Sequence, residues 1–164
     1  MKQWIDKQIH AKYTPYVLAF LIPFLVMAAV CAGHGIYPFG ENSFLHIDMY
    51  HQYAPFFMEF QRKLKAHESL MFSWNLGLGS DFVATFAYYL ASPVNWLVVF
   101  CSKQHLIEFM TVLVLLKIAC SGLFFAIYLG RHFKDNSYLV TLVSMFYALS
   151  AYISAYSWNI NIWV

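Results

Sequence analysis

Three stretches of the chain run apolar for the length of a membrane crossing: 14–32 (TPYVLAFLIPFLVMAAVCA), 106–129, and 138 to about 158. A helix rising 1.5 Å per residue needs about 20 apolar residues to cover roughly 30 Å of hydrocarbon. Each stretch therefore predicts a transmembrane helix, and Pro23 is tolerable inside the first, because membrane helices accept a kink. Lys2, Lys7 and Lys12 precede the first run as the basic end of a signal peptide would. The run outlasts a signal-peptide core and more spans follow, so an uncleaved anchor is expected. A fourth run, 82–100 (FVATFAYYLASPVNWLVVF), is long enough to cross but is interrupted by Thr85, Ser92, Pro93 and Asn95, with Tyr88, Tyr89 and Trp96 between them. That composition suits an interfacial or re-entrant segment.

Shorter periodicity marks the region between the first and second spans. Tyr53, Phe57, Phe60 and Leu64 recur at steps of four, three and four, one face of a helix. Gln52, Glu59 and Lys63 take its other faces. Pro55 fits a first turn, and Arg62, Lys63 and Lys65 stand where cations complement the helix dipole. An amphipathic helix over about 49–66, lying on a membrane surface, is the expectation. After it, Phe72-Ser73-Trp74-Asn75-Leu76-Gly77-Leu78-Gly79-Ser80-Asp81 carries two glycines that permit a tight turn.

Composition agrees. Of 164 residues 61% are hydrophobic and 11% charged, against roughly 25% charged in a soluble domain, and mean hydropathy is +0.56. A soluble globule, a disordered chain, a collagen-like fibre and a disulfide scaffold are excluded. The fold class is an all-α integral membrane protein, with membrane lipids as its surroundings. A net charge of +2 leaves no nucleic-acid footprint. Cys31, Cys101 and Cys120 lie in or beside apolar runs and read as small buried hydrophobes.

Charge bias orients the spans. The tail 1–13 has three lysines against Asp6, and the connection 130–137 has Arg131, His132 and Lys134 against Asp135. Both face the cytoplasm only if an even number of crossings separates them, which the runs 14–32 and 106–129 supply. Segment 33–105 then lies outside, carrying the amphipathic helix and the re-entrant 82–100, while 159–164 begins another outer loop. The final apolar residues have no polar tail, so the chain reads as the first three spans of a longer protein. The expected location is the cell membrane, multi-pass, with a cytoplasmic amino terminus.

Asp48 leads the candidates for chemistry. A carboxylate among aromatics and histidine can act as a general base, or it can simply cap the helix that follows. Asp81 has the same two readings, and together the two carboxylates could share a substrate or a divalent cation. Glu41 is a weaker third. His34, His46, His51 and His67 share this loop, and His46 and His51 bracket Asp48, but their spacing matches no standard zinc pattern. Lys117 sits about twelve residues, roughly 18 Å, from either end of its span, too deep to snorkel easily. It can meet a lipid phosphate or pair with a carboxylate. Ala119, Cys120, Ser121 and Gly122 beside it allow close helix packing. No phosphate-loop, dinucleotide or serine-hydrolase motif is present.

The runs 40–57 (GENSFLHIDMYHQYAPFF) and 72–81 (FSWNLGLGSD), continued by 88–96 (YYLASPVNW), resemble the amino-terminal part of the bacterial YfhO family of membrane proteins. The resemblance covers nearly the whole chain, and family members are much longer multispanning proteins. It implies a C-type (GT-C) glycosyltransferase bundle. Such an enzyme takes a sugar from a polyprenyl-phosphate carrier and delivers it on the outer face to a cell-envelope polymer such as lipoteichoic acid. By position Asp48 matches the family's acidic residue of the first outer loop, with Asp81 as runner-up. His51 and Gln52 would orient the acceptor, Tyr88 and Tyr89 would line the carrier's groove, and Lys117 would meet substrate. A divalent cation (Mg or Mn) held by Asp48 is a further possibility for the cofactor, and a fragment of this length would be inactive alone. A lipid-linked-sugar flippase or transporter component, or a non-catalytic membrane scaffold, are the alternatives.

Overall fold

The computed structural model describes residues 2–43, 45 and 48–156. His46 and the residues after 156 lie outside the described set. The chain divides into two compact units: a helix unit of 1–33 with 115–157, and a loop unit of 34–114.

Helix α1 spans Lys2–Gly33, so the basic tail continues the membrane helix rather than preceding it. Its apolar portion Tyr13–Gly33 and the stretch Lys103–Phe133, which contains α4 (Leu106–Phe133), are both long and apolar enough to cross a membrane. Within the helix unit, α1 packs on α5 (Tyr138–Ala148) and on the second half of α4 through Ala19, Ala126 and Val140, with Tyr16 and Leu129 against them. Small residues permit that approach. A Cβ at Gly122 would stand 2.5 Å from the Ala19 carbonyl oxygen and 3.3 Å from the Ala148 Cβ. Helices that gain nothing from water exclusion associate through such close backbone packing. Thr141 Oγ1 donates to the carbonyl of Pro15, inside α1, at 2.9 Å and so ties α5 to α1. Val17, Leu25, Phe124, Leu139 and Phe146 point outward and exposed, a surface suited to lipid.

The third apolar run is not one continuous helix. It breaks at Leu149-Ser150 and resumes as α6 (Ala151–Tyr156). Leu149 N–H closes the last turn of α5 onto Met145 and Tyr147, and Ser150 Oγ accepts from Ile153 N–H at 3.4 Å. Serine at a helix start competes for backbone in this way, which ends one helix and begins the next.

The loop unit opens with a turn at Gly35 (φ +60°) closed by Asn42, whose Nδ2 donates to the His34 carbonyl. A π-helical turn, Met49–Tyr53, leads into α2 (Ala54–Lys65) with Pro55 in its first turn. The antiparallel hairpin β1 (Phe72–Ser73) and β2 (Ser80–Asp81) pairs Phe72 with Asp81 and Ser73 with Ser80. Gly79 at φ +102° lets the chain turn beneath the Phe72 and Trp74 rings, where a Cβ would meet both at 2.8 Å. Short helix α3 (Phe82–Thr85), a second π turn (Phe86–Leu90) and a 3-10 helix (Pro93–Phe100) complete the unit before α4. The two apolar halves of 82–100 are bent by 106° at Ala91-Ser92, because Pro93 forces Ser92 out of the helical region, to ψ 131°.

Tyr53, Phe57 and Phe60 bury their stripe among Phe82, Leu90 and Val98, with Trp96 and Phe86 packed on Phe60 at 5.3 and 5.4 Å between centroids. The polar faces of α2 are buried as well. Gln61 Nε2 donates to the carbonyls of Val98 and Cys101 at 2.8 and 2.9 Å, ending the 3-10 helix against α2. Lys63 Nζ donates to the carbonyls of Ser69 and Phe72 at 3.0 and 2.7 Å. The helix is therefore packed within a polar and aromatic shell, not simply laid down on one face.

Candidate functional site

The two π turns of the loop unit meet. A π turn inserts one residue and redirects its side chains, a feature frequent at functional sites. Gln52, in the first turn, accepts a hydrogen bond at 3.0 Å from the hydroxyl of Tyr89, in the second. Tyr89 is packed edge-on against Tyr53 at 5.4 Å, against Phe56 at 4.9 Å and against Tyr88 at 4.6 Å. Tyr53 is buried, and its hydroxyl is pushed up to about 12 by that burial, by Tyr89 and Tyr88, and by the negative charge of Asp48. Asp48 immediately precedes the π turn that carries Tyr53. It is half-buried in helical backbone (φ −64°, ψ −32°), and its side chain makes no capping hydrogen bond to the turn it precedes.

The other candidates separate by role. Asp81 is a cap: Oδ1 accepts from Val83 N–H at 2.8 Å, and its residue pairs with Phe72 in the hairpin. His51 lines a groove of about 480 Å³ together with Tyr50, Pro55, Met58, Lys103 and Ile107. Glu41 is exposed, and His67 occupies a positive-φ turn just past α2. Lys117 is buried midway along α4 and belongs to the helix unit, not to the unit that carries the other candidates. Among the described residues no three His, Cys, Asp or Glu side chains lie close enough to hold a metal ion.

A second polar centre is invisible in the linear pattern. Glu59 is 6% exposed and accepts four hydrogen bonds: two from Arg62 at 2.9 Å each, one from Ser73 Oγ at 2.6 Å and one from Asn75 Nδ2 at 2.8 Å. Arg62 also pairs with Glu68 through two bonds of 2.6 Å. The guanidinium, with Ser73 and Asn75 adding to it, holds the Glu59 carboxyl down at about 2 against the opposing effect of burial. Only the i, i+3 spacing of Glu59 and Arg62 hints at this centre; its other members arrive from the hairpin.

A family model described as bacterial membrane protein YfhO matches residues 19–164. The chain belongs to the YfhO family. The match takes in Asp48, the two π turns, the hairpin and the apolar helices. Comparison with curated proteins and with solved structures finds no match. Family membership and the two long apolar helices make this YfhO chain a membrane protein.

Proposed function

We propose that the chain is the amino-terminal part of a membrane glycosyltransferase of C type, which moves a sugar from a polyprenyl-phosphate carrier to a cell-envelope acceptor such as lipoteichoic acid. The amino terminus is cytoplasmic, and 33–105 faces outward with 82–100 as its re-entrant segment. The observation that carries the reading is the joining of Asp48, through its π turn, to an aromatic wall by the Gln52–Tyr89 hydrogen bond. A carboxylate beside stacked rings can bind a sugar face and take a hydroxyl proton.

In this reading Asp48 accepts the proton of the acceptor hydroxyl as its oxygen attacks the anomeric carbon. The bond from that carbon to the phosphate oxygen breaks, and polyprenyl phosphate leaves with the electron pair. Gln52 keeps Tyr89 upright, Tyr88 and Tyr89 flank the donor, and His51 orients the acceptor from the adjoining groove. Asp81 serves by holding the start of α3.

The test is Asp48→Asn in a YfhO protein of full family length, given a radiolabelled polyprenyl-phosphate sugar. Loss of transfer by about 100-fold or more is expected, within the usual range for a general base. Wild-type transfer by this variant overturns the assignment. Translocation of the label without transfer would instead favour a flippase.

A further inference from the structure

Within the helix unit, a groove of about 840 Å³ runs between the Tyr13–Leu21 stretch of α1 and the last turns of α4. Val17, Leu21 and Leu123 line its length, and Tyr16, Arg131 and Asn136 gather at one end. Val17 is 52% and Leu21 40% exposed, so the trough opens sideways to whatever surrounds the helices. In a bilayer that surrounding is hydrocarbon, and an apolar trough too open to stay empty takes up an acyl chain.

The end of the groove decides which lipid. Arg131 contributes its charge to the lining itself, and the exposed turn after α4 adds Lys134. The one carboxylate of that turn, Asp135, accepts from Ser137 N–H at 2.9 Å and from Ser137 Oγ at 2.7 Å, which ties it to the start of α5. The Tyr16 hydroxyl donates to Asn136 Oδ1, so the Asn136 amide has its N–H donors to offer at the mouth. Gly130 lets the Tyr16 hydroxyl pack close against the end of α4, since a Cβ there would collide with it. A guanidinium and amide donors at the end of an apolar trough complement a phosphodiester with a chain attached. From Tyr13 to Leu21 the trough follows α1 for about 12 Å, most of one leaflet's hydrocarbon depth of roughly 15 Å.

We propose that this groove is a binding site for one anionic phospholipid, with an acyl chain along Val17, Leu21 and Leu123 and its phosphate on Arg131 and Asn136. The site is separate from the Asp48 cluster and does not rest on the glycosyltransferase reading. It anchors the ends of α1 and α4 to one leaflet by charge, at the membrane face toward which Arg131 and Lys134 point.

The test uses the 164-residue chain, purified in neutral detergent and offered equimolar dioleoyl phosphatidylglycerol and dioleoyl phosphatidylcholine, with retained lipid read by native mass spectrometry. Wild type should retain phosphatidylglycerol about fivefold over phosphatidylcholine, the preference conferred by one cation near an anionic lipid. Arg131→Gln should bring the two to parity, Arg131→Lys should keep most of the preference, and Leu123→Trp, which fills the trough, should reduce retention of both. Equal retention by wild type, or an unchanged preference in Arg131→Gln with Arg131→Lys folded as wild type, overturns the proposal. So does a lipid-free dimer that Leu123→Trp dissociates, because the groove would then be covered by a second copy of the chain.

Discussion

Replacing Glu59 by Gln removes one charge from the centre of the loop unit and keeps its shape, but turns one of its two accepting oxygens into a donor. The carboxylate is held at about 2 instead of the ordinary 4.5, chiefly by Arg62. At about 1.4 kcal/mol per pH unit, that difference amounts to about 3 kcal/mol of stability at neutral pH. Arg62 is 36% exposed and keeps Glu68 as a partner in the variant, so solvent and the remaining pair recover part of it. A net loss of about 2 kcal/mol is expected, which is roughly 30-fold in a local opening equilibrium. The hairpin should feel it first, because Ser73 and Asn75 are tied to the loop unit through this carboxylate. Amide exchange of a peptide covering 72–82, which includes the Phe82 N–H bonded to the Met71 carbonyl at 3.1 Å, should speed by about that factor. The middle of α4 should be unaffected. A change below about threefold at 72–82 would refute the reasoning that Glu59 holds the hairpin. The pH dependence has a definite sign. The unfolded segment takes up the proton more readily than the folded one, so the contribution is whole above about 4.5, declines as pH falls toward 2 and is absent below it. In a background where the other four tryptophans are replaced by Phe, Trp74 fluorescence should report loosening of the hairpin over that interval with Glu59 present and little further change with Glu59→Gln.

Gly122→Ala should destabilise the helix unit by about 1–3 kcal/mol, because the added Cβ meets a backbone carbonyl that only a shift of α1 can relieve; unfolding in mixed micelles measures it. Asp81→Ala should cost about 1 kcal/mol through loss of the cap on α3, seen as faster exchange at Val83, and in a full-length protein it should lower transfer far less than Asp48→Asn does. Single cysteines at positions 48, 102 and 136, in a background lacking Cys31, Cys101 and Cys120, test the topology with an impermeant thiol reagent on intact cells. Labelling at 48 and 102 but not at 136 is expected, whereas labelling at 136 but not at 102 would mean that 82–100 crosses the membrane.

Much of the helical framework was legible because its cause is local. A long uncharged run has one stable form in hydrocarbon, a helix that satisfies its own backbone, so the helices over 13–33 and 106–133 follow from composition and length alone. The stripe of Tyr53, Phe57 and Phe60 similarly requires only a 3.6-residue period and a surface to cover. The same period assigned Glu59 and Lys63 to unburied faces, and there it failed. Their burial depends on partners 6 to 16 positions away, Ser69, Phe72, Ser73 and Asn75, brought over α2 by the hairpin. Gln61 is buried for the same reason, by carbonyls 37 and 40 positions on.

The candidate site divides along the same line. Asp48 and Asp81 looked alike in the chain, since either could cap a helix or do chemistry. Only the fold tells them apart: Asp81 caps α3, whereas Asp48 makes no cap to the π turn it precedes. Gln52 and His51 are neighbours in sequence, yet the π turn sends one to Tyr89 and the other to a separate groove. Membrane character, helix positions and the aromatic stripe were thus determined by the sequence itself, because burial of apolar surface depends on residue type and spacing. Which polar groups are buried, and which of the two aspartates caps its helix, was decided by the tertiary structure, because a hydrogen bond needs a particular partner at a particular distance, and only folding brings the two together.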